Sequence, residues 1–447
     1  MDLSPGAVEA GVARIRARDR RLGDDAALAA DLLTAGEGAD VVSQGRLQDE
    51  LWWRIPKRLD PESWRDVIDA AAALFDELGL DRYAALARSE TTAEVLEAWA
   101  RGPKEGRTRA TKARAASGVA APDTDLLTWG TVFGGAESEA MEAVERALEA
   151  AIVAGELVPG GRGWKGQAAA VAERTLQASV DDISGQSWLT LVNTERVESW
   201  LRTNEPTVQR LRQGVANRLL SPVDPPADVG PVVESMCWLL THAVDGIALT
   251  QSGYLARVLV LEAVDRFDWW EWDKPPRSEA DVFQLELLRD AARSLGLVRR
   301  RGRTLSATAK AKALLDDPVG LWRLLAGSLG GDDEYDQLVG ELVAMSLLES
   351  PAHDDALASM VRPVLDGLGW RADGQPLQHR QVVWAVWERI HWWRTIGVAE
   401  HHASRWDRET RRQVEPATTV LTAAGEATAL AYLRLRATRP RTSPFSG

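Results

Sequence analysis

A chain of 447 residues exceeds what one hydrophobic core sustains, so roughly two to four domains are expected. Hydrophobic residues at 45% and charged residues at 27% exclude wholesale disorder. The formal charge of -13 argues against a generic nucleic-acid or membrane coat, although screening over about 10 Å leaves room for a local basic patch.

The chain opens on Met1-Asp2-Leu3-Ser4-Pro5, with neither a basic leader nor an apolar stretch behind it. No run of about 18 apolar residues follows anywhere, so no membrane partner and a cytoplasmic location are expected. Residues 1–100 read as a helical region. Asp60-Pro61-Glu62 is a helix-start signal, and Trp64, Val67, Ile68, Ala71, Leu74, Phe75 and Leu78 recur at helical spacing until Gly79. Residues 101–124, with Arg107, Arg109, Lys112 and Arg114 among Gly, Thr and Ala, have the composition of a solvated basic linker.

A helical domain is expected over 125–220. Glu137 to Ala154 places Met141, Val144, Leu148, Ala151 and Ile152 on one face, with Gly155 as terminator. Gly161-Arg162-Gly163-Trp164-Lys165-Gly166 matches a dinucleotide fingerprint in letters only. The apolar strand and the later acid that such a site needs are missing, so it reads as a turn and no cofactor is expected. Ser221-Pro222-Val223-Asp224-Pro225-Pro226 suggests a second linker, over 221–230. Cys237 sits in an apolar run and reads as a buried, inert thiol.

The C-terminal half repeats itself. Arg293-Ser294-Leu295-Gly296-Leu297-Val298 and Arg394-Thr395-Ile396-Gly397-Val398-Ala399 each end a helix. Leu305-Ser306-Ala307-Thr308-Ala309 and Leu421-Thr422-Ala423-Ala424-Gly425 each lead into another. Both copies spell helix, glycine stop, strand, polar turn, strand, capped helix. Ile247 to Tyr254 offers a third strand-then-cap fragment. The expected fold is therefore mainly α, multi-domain, with tandem winged-helix-like units at 231–330 and 331–435 and a disordered tail over 436–447.

Around 246–325 the chain resembles the C-terminal region of actinobacterial proteins of unknown function, some described as similar to a plasmid-borne open reading frame. The resemblance is carried by Leu249-Thr250-Gln251-Ser252-Gly253-Tyr254-Leu255, Leu295-Gly296-Leu297-Val298-Arg299-Arg300, and Leu314-Leu315-Asp316-Asp317-Pro318 with Leu321-Trp322. The segment from Trp269 to Arg277 departs from that pattern. The resemblance implies a winged-helix-like module and no activity.

Chemistry is sparse. Glu400-His401-His402 places its histidines next to each other rather than at ligand spacing, so no metal is expected. Asp332-Asp333-Glu334-Tyr335-Asp336 reads as acids at a helix N-terminus rather than a catalytic pair. Trp384, Trp387 and His391 share a helix face and read as core, with Trp392 and Trp393 widening the apolar surface. Trp269-Trp270-Glu271-Trp272 cannot all point inward, so Trp269, Trp270 and Trp272 are candidates for a partner interface.

Arg299, Arg300, Arg301 and Arg303 crowd the first hairpin and are candidate nucleic-acid contacts. Ser278 to Asp317 carries eight basic and six acidic residues, and Gln378 to Arg412 seven and four, so both segments are locally basic. Glu286 and Asp290 on the preceding helix speak against base reading. Three functions are consistent with this: a non-catalytic scaffold with a protein partner or self-association, a DNA- or RNA-binding regulator using the basic wing, and a winged-helix nucleic-acid-processing enzyme. The scaffold fits best.

Overall fold

The structure, a computed structural model, describes residues 5–34, 43–180, 185–403, 405–406, 413–415 and 417–442. The protein is mainly α-helical, with sheets of two or three short strands. Among the described residues no helix is long and apolar enough to cross a membrane. The chain forms two units, one of residues 1–195 with 440–447 and one of Arg196–Arg439.

The first unit is a set of helices. Trp64–Glu77 buries Trp64, Val67, Ile68, Ala71, Leu74 and Phe75, the face that the apolar spacing marks out. Its start differs from expectation by a turn. The Asp60 backbone carbonyl accepts from the Ser63 N–H in a turn, and the helix begins at Trp64 with no side-chain cap. Gly79 adopts the left-handed conformation just past the end.

The expected basic linker is instead a helix, Pro103–Ser117. Gly106, Ala110 and Ala113 form a stripe small enough for close packing, and a side chain at 106 would meet the Trp99 ring at 2.3 Å. Small residues that read as linker are thus the contact face of a helix. Arg114 on the same helix donates to the Glu145 carboxylate at 2.7 Å and pairs with Asp49. A smaller core surrounds Gly135–Val153 and Trp164–Gln177, with Val144, Leu148, Leu157 and Leu176 buried. Gly161 to Gly163 form a turn, and Trp164 to Gly166 are already the start of the second of these helices. The part of the expected disordered tail that is described is held in place. The Arg441 carbonyl accepts from the backbone N–H of Thr131 and Val132, and its guanidinium lies 3.2 Å from buried Glu137.

The second unit contains the repeat, and one core runs through both copies rather than one through each. The Pro-rich stretch 221–226 joins two helices of this same unit. The first copy runs as helix Gly230–Val244, strand Ile247–Ala248, helices Arg257–Phe267 and Phe283–Ser294, strands Val298–Arg301 and Thr304–Ala307, and helix Ala309–Leu315. Its sheet is antiparallel with the last strand in the middle, pairing Ile247 with Leu305 and Val298 with Ala307. The second copy runs as helices Glu334–Glu349, Asp354–Gly367 and His379–Thr395, strands Ala399–His402 and Thr418–Leu421, and helix Ala423–Ala437. There the Ala352–Thr419 bridge takes the place of the first strand. The Ile247–Tyr254 fragment is therefore the opening strand of the first copy, not a third copy.

The two copies match bond for bond where the sequence repeats. Gly296 and Gly397 have positive φ. Leu297 N–H donates to the Ala292 carbonyl and Val398 N–H to the Trp393 carbonyl, each at 2.8 Å. Thr308 and Thr422 each accept from a backbone N–H three residues on, while their hydroxyls donate to the Gly296 and Gly397 carbonyls, each at 2.9 Å. One threonine thus closes one helix and opens the next.

Candidate interaction surfaces

The third helix of each copy, Phe283–Ser294 and His379–Thr395, lies against the other. Phe283 meets Trp387 with ring centroids 4.7 Å apart, Trp384 stacks on Trp387 at 4.9 Å, and His391 sits 3.8 Å from Trp387. Beyond Trp384 the second of these helices is buried or half-buried to its end. Trp392 and Trp393 are buried, whereas Trp384 remains 58% exposed. Of the aromatic surface that reads as core, Trp392 and Trp393 are core, Trp387 and His391 are half-buried, and Trp384 is exposed.

His391 is closed in by these rings, and one ring nitrogen lies 2.9 Å from the Trp387 carbonyl. Burial holds its pKa below the ordinary value of 6.5, outweighing the hydrogen bond to Trp387. The unfolded chain therefore binds a proton that the folded one refuses. As pH falls through 6.5, the second unit should lose stability. His391→Leu should remove that acid-side loss, measured as the difference in melting temperature between the variant and wild type across pH 5 to 8.

The four arginines of the first hairpin are exposed, and among the described residues none has a carboxylate partner within ion-pair distance. Asp317, a neighbour in sequence, instead caps the helix Pro318–Gly327 by accepting from Gly320 N–H at 2.9 Å. The arginines are not equivalent. Arg303 donates twice to the Leu249 carbonyl, at 3.2 and 3.1 Å. Arg300 donates to the Gly302 carbonyl at 2.9 Å, and its guanidinium lies over Gly253. Arg299 and Arg301 lie on the other face of the strand, opposite Ser306 and Thr304. On the preceding helix, Arg289 pairs with buried Glu279 at 2.8 Å and Arg293 with Asp290 at 3.3 Å.

The tryptophan cluster divides in the same way. Trp269 stacks on Phe267 at 4.7 Å, and Trp270 donates its indole N–H to the Lys274 carbonyl at 2.7 Å. Both are half-buried, whereas Trp272 is 75% exposed.

Buried carboxylates elsewhere are engaged. Glu341 meets Arg212 at 2.7 Å and Arg436 at 3.4 Å, and Glu137 meets Arg441. His401 and His402 lie on the exposed strand Ala399–His402, and Asp333 caps Glu334–Glu349 by accepting from Asp336 N–H. Cys237 is half-buried, and burial followed by the Glu234 charge pushes its thiol up, away from the reactive thiolate. In the first unit, Trp64, Arg65, Asp69, Ser89, Leu96 and Glu97 help line an open cleft of about 460 Å³. No motif marks it, because its lining is drawn from three helices, Trp64–Glu77, Asp81–Ala87 and Glu90–Arg101, brought together by folding.

The family model for the Y4jL N-terminal domain matches residues 228–320, from just before Gly230–Val244 into Pro318–Gly327. The match thus takes in the first copy of the repeat and none of the second. No curated protein and no solved structure matches the chain.

Proposed function

We propose that this chain is a non-catalytic interaction protein built on two winged-helix-like units packed together through their third helices. The order of elements supports the winged-helix reading: helix, strand, two helices, then a hairpin whose last strand pairs with the first. One observation carries the functional reading. In a DNA-binding unit of this kind the recognition helix must be free to lie in a major groove. Here the contact between Phe283 and Trp387 commits each third helix to the other. What stays exposed on the first, Glu286, Asp290, Arg293 and Ser294, is a mixed surface in which Arg293 is already paired with Asp290.

Catalysis finds less support. Glu137, Glu279 and Glu341 are each paired with an arginine, which favours a structural over an acid–base role. The exposed indole of Trp272, beside two half-buried tryptophans that hold its loop, is the surface best suited to anchoring a partner.

A photo-crosslinking residue at position 272, introduced into the full chain and irradiated in its own cells, tests the reading. One discrete protein adduct is expected, either a partner or a second copy of the chain. Position 258, where Val258 is 70% exposed on a helix, serves as control. The same adducts from both positions, or none from 272, would remove Trp272 as the anchor.

A further inference from the structure

The outer face of the first hairpin carries a site that the scaffold reading leaves unused. Strand alternation sends Val298, Leu305 and Ala307 to the core, and Arg299, Arg301, Thr304 and Ser306 to the opposite face. Cross-strand pairing sets Arg299 beside Ser306 and Arg301 beside Thr304, so two guanidinium groups stand next to two hydroxyls. Apart from the methyl of Ala248, that face of the sheet has no apolar side chain.

Arg300 and Arg303 hold this face in place. Arg303 donates to the Leu249 carbonyl and so ties the hairpin to the segment that follows the first strand, while Arg300 donates within the hairpin to the Gly302 carbonyl. Gly253 of that turn has positive φ, and a side chain there would meet the Arg300 guanidinium at 2.9 Å. Arg299 and Arg301 have no such duty. The acids Glu286 and Asp290 belong to a helix packed on the core side of the sheet, away from this face.

We propose that Arg299, Arg301, Thr304 and Ser306 bind the phosphate backbone of duplex nucleic acid without reading its sequence. Guanidinium and hydroxyl donors are the groups that contact phosphate and sugar. A protein partner would call for an apolar centre, which this face lacks. No base is read, because the third helix is packed against its counterpart. The second copy does not share the site. At the positions equivalent to Arg299 and Arg301 its hairpin has Glu400 and His402, paired with Val420 and Thr418. Among the described residues this arrangement occurs once.

Anisotropy of a short labelled duplex, titrated with the full chain between about 50 and 200 mM salt, tests this. Binding should weaken linearly with log salt and be equal for a scrambled duplex. Replacing Arg299 and Arg301 together by alanine should flatten the slope by up to about two, so wild type loses about tenfold more affinity over that range than the variant. Arg299→Lys with Arg301→Lys should keep most of the binding, and Glu400→Ala with His402→Ala should leave it unchanged. Matching melting temperatures confirm that each variant is folded. The proposal is overturned by absence of wild-type binding at low salt, by unchanged binding in the alanine double variant, or by an equal loss in the Glu400/His402 variant. Binding to phosphatidylserine vesicles but not to duplex would assign the face to a lipid surface and overturn it as well.

Discussion

Replacing Glu341 by alanine should cost the second unit about 3–5 kcal/mol, the loss expected when one partner of a buried ion pair is removed. Glu341 is fully buried on the helix Glu334–Glu349. Its Oε1 accepts from Arg212 Nε at 2.8 Å and from the Trp200 indole N–H at 3.1 Å, and its Oε2 meets Arg436 Nε at 3.4 Å. Arg212 also stacks over the Trp200 ring at 4.6 Å. Alanine leaves two largely buried guanidinium groups around an empty acceptor. Urea unfolding of the full chain should show a lower midpoint for this variant. Glu341→Gln, which keeps the acceptor oxygen and the shape, should lose less. A cost below about 1 kcal/mol for the alanine variant would mean that the arginines find water, and that the cluster is not closed in the way described.

Trp322→Ala should be comparably severe, at about 3–5 kcal/mol, because it removes a large side chain from a filled core. Trp322 lies on Pro318–Gly327, only 1% exposed, and its indole N–H donates to the Thr428 hydroxyl oxygen at 2.8 Å on Ala423–Ala437. Thr428 keeps its own donation to the Ala424 carbonyl, so Trp322→Phe should cost less than alanine by most of the cavity term. Trp384→Ala is the contrast. That ring is 58% exposed, stacked on Trp387 and edge-on to Phe283 at 6.5 Å, so about 1 kcal/mol is expected. Similar losses at 322 and 384 would contradict the burial pattern and the placement of the seam.

The repeat was legible in the letters because everything that defines it is local. A left-handed glycine, the helix carbonyl four residues before it and a threonine that closes one helix while opening the next all lie within one helix-end and hairpin segment. Apolar spacing gave the buried face of Trp64–Glu77 and, in Gly135–Val153, Val144, Leu148 and Ala151 but not the buried Glu137, Glu145 and Glu149. A helix repeats its geometry every few residues, whereas ion pairing has no period. The sequence by itself thus determined a mainly helical chain, a pattern of helix, glycine and capping threonine that recurs in its C-terminal half, and a crowded basic hairpin.

Tertiary structure decided what those pieces face. Pro103–Ser117 has a linker's composition, and only the ring of Trp99 against Gly106 shows why small residues are wanted there. Arg299 and Arg300 are neighbours in sequence, yet strand alternation and the Gly253 turn leave one free and hold the other down. Phe283 and Trp387 are far apart along the chain, as are Glu341 and its two arginines, and no periodicity links them. Local hydrogen bonding repeats and can be read in a line of residues. Long-range packing depends on which surfaces fit once the chain has closed its loops, and that complementarity has no signature in any single segment.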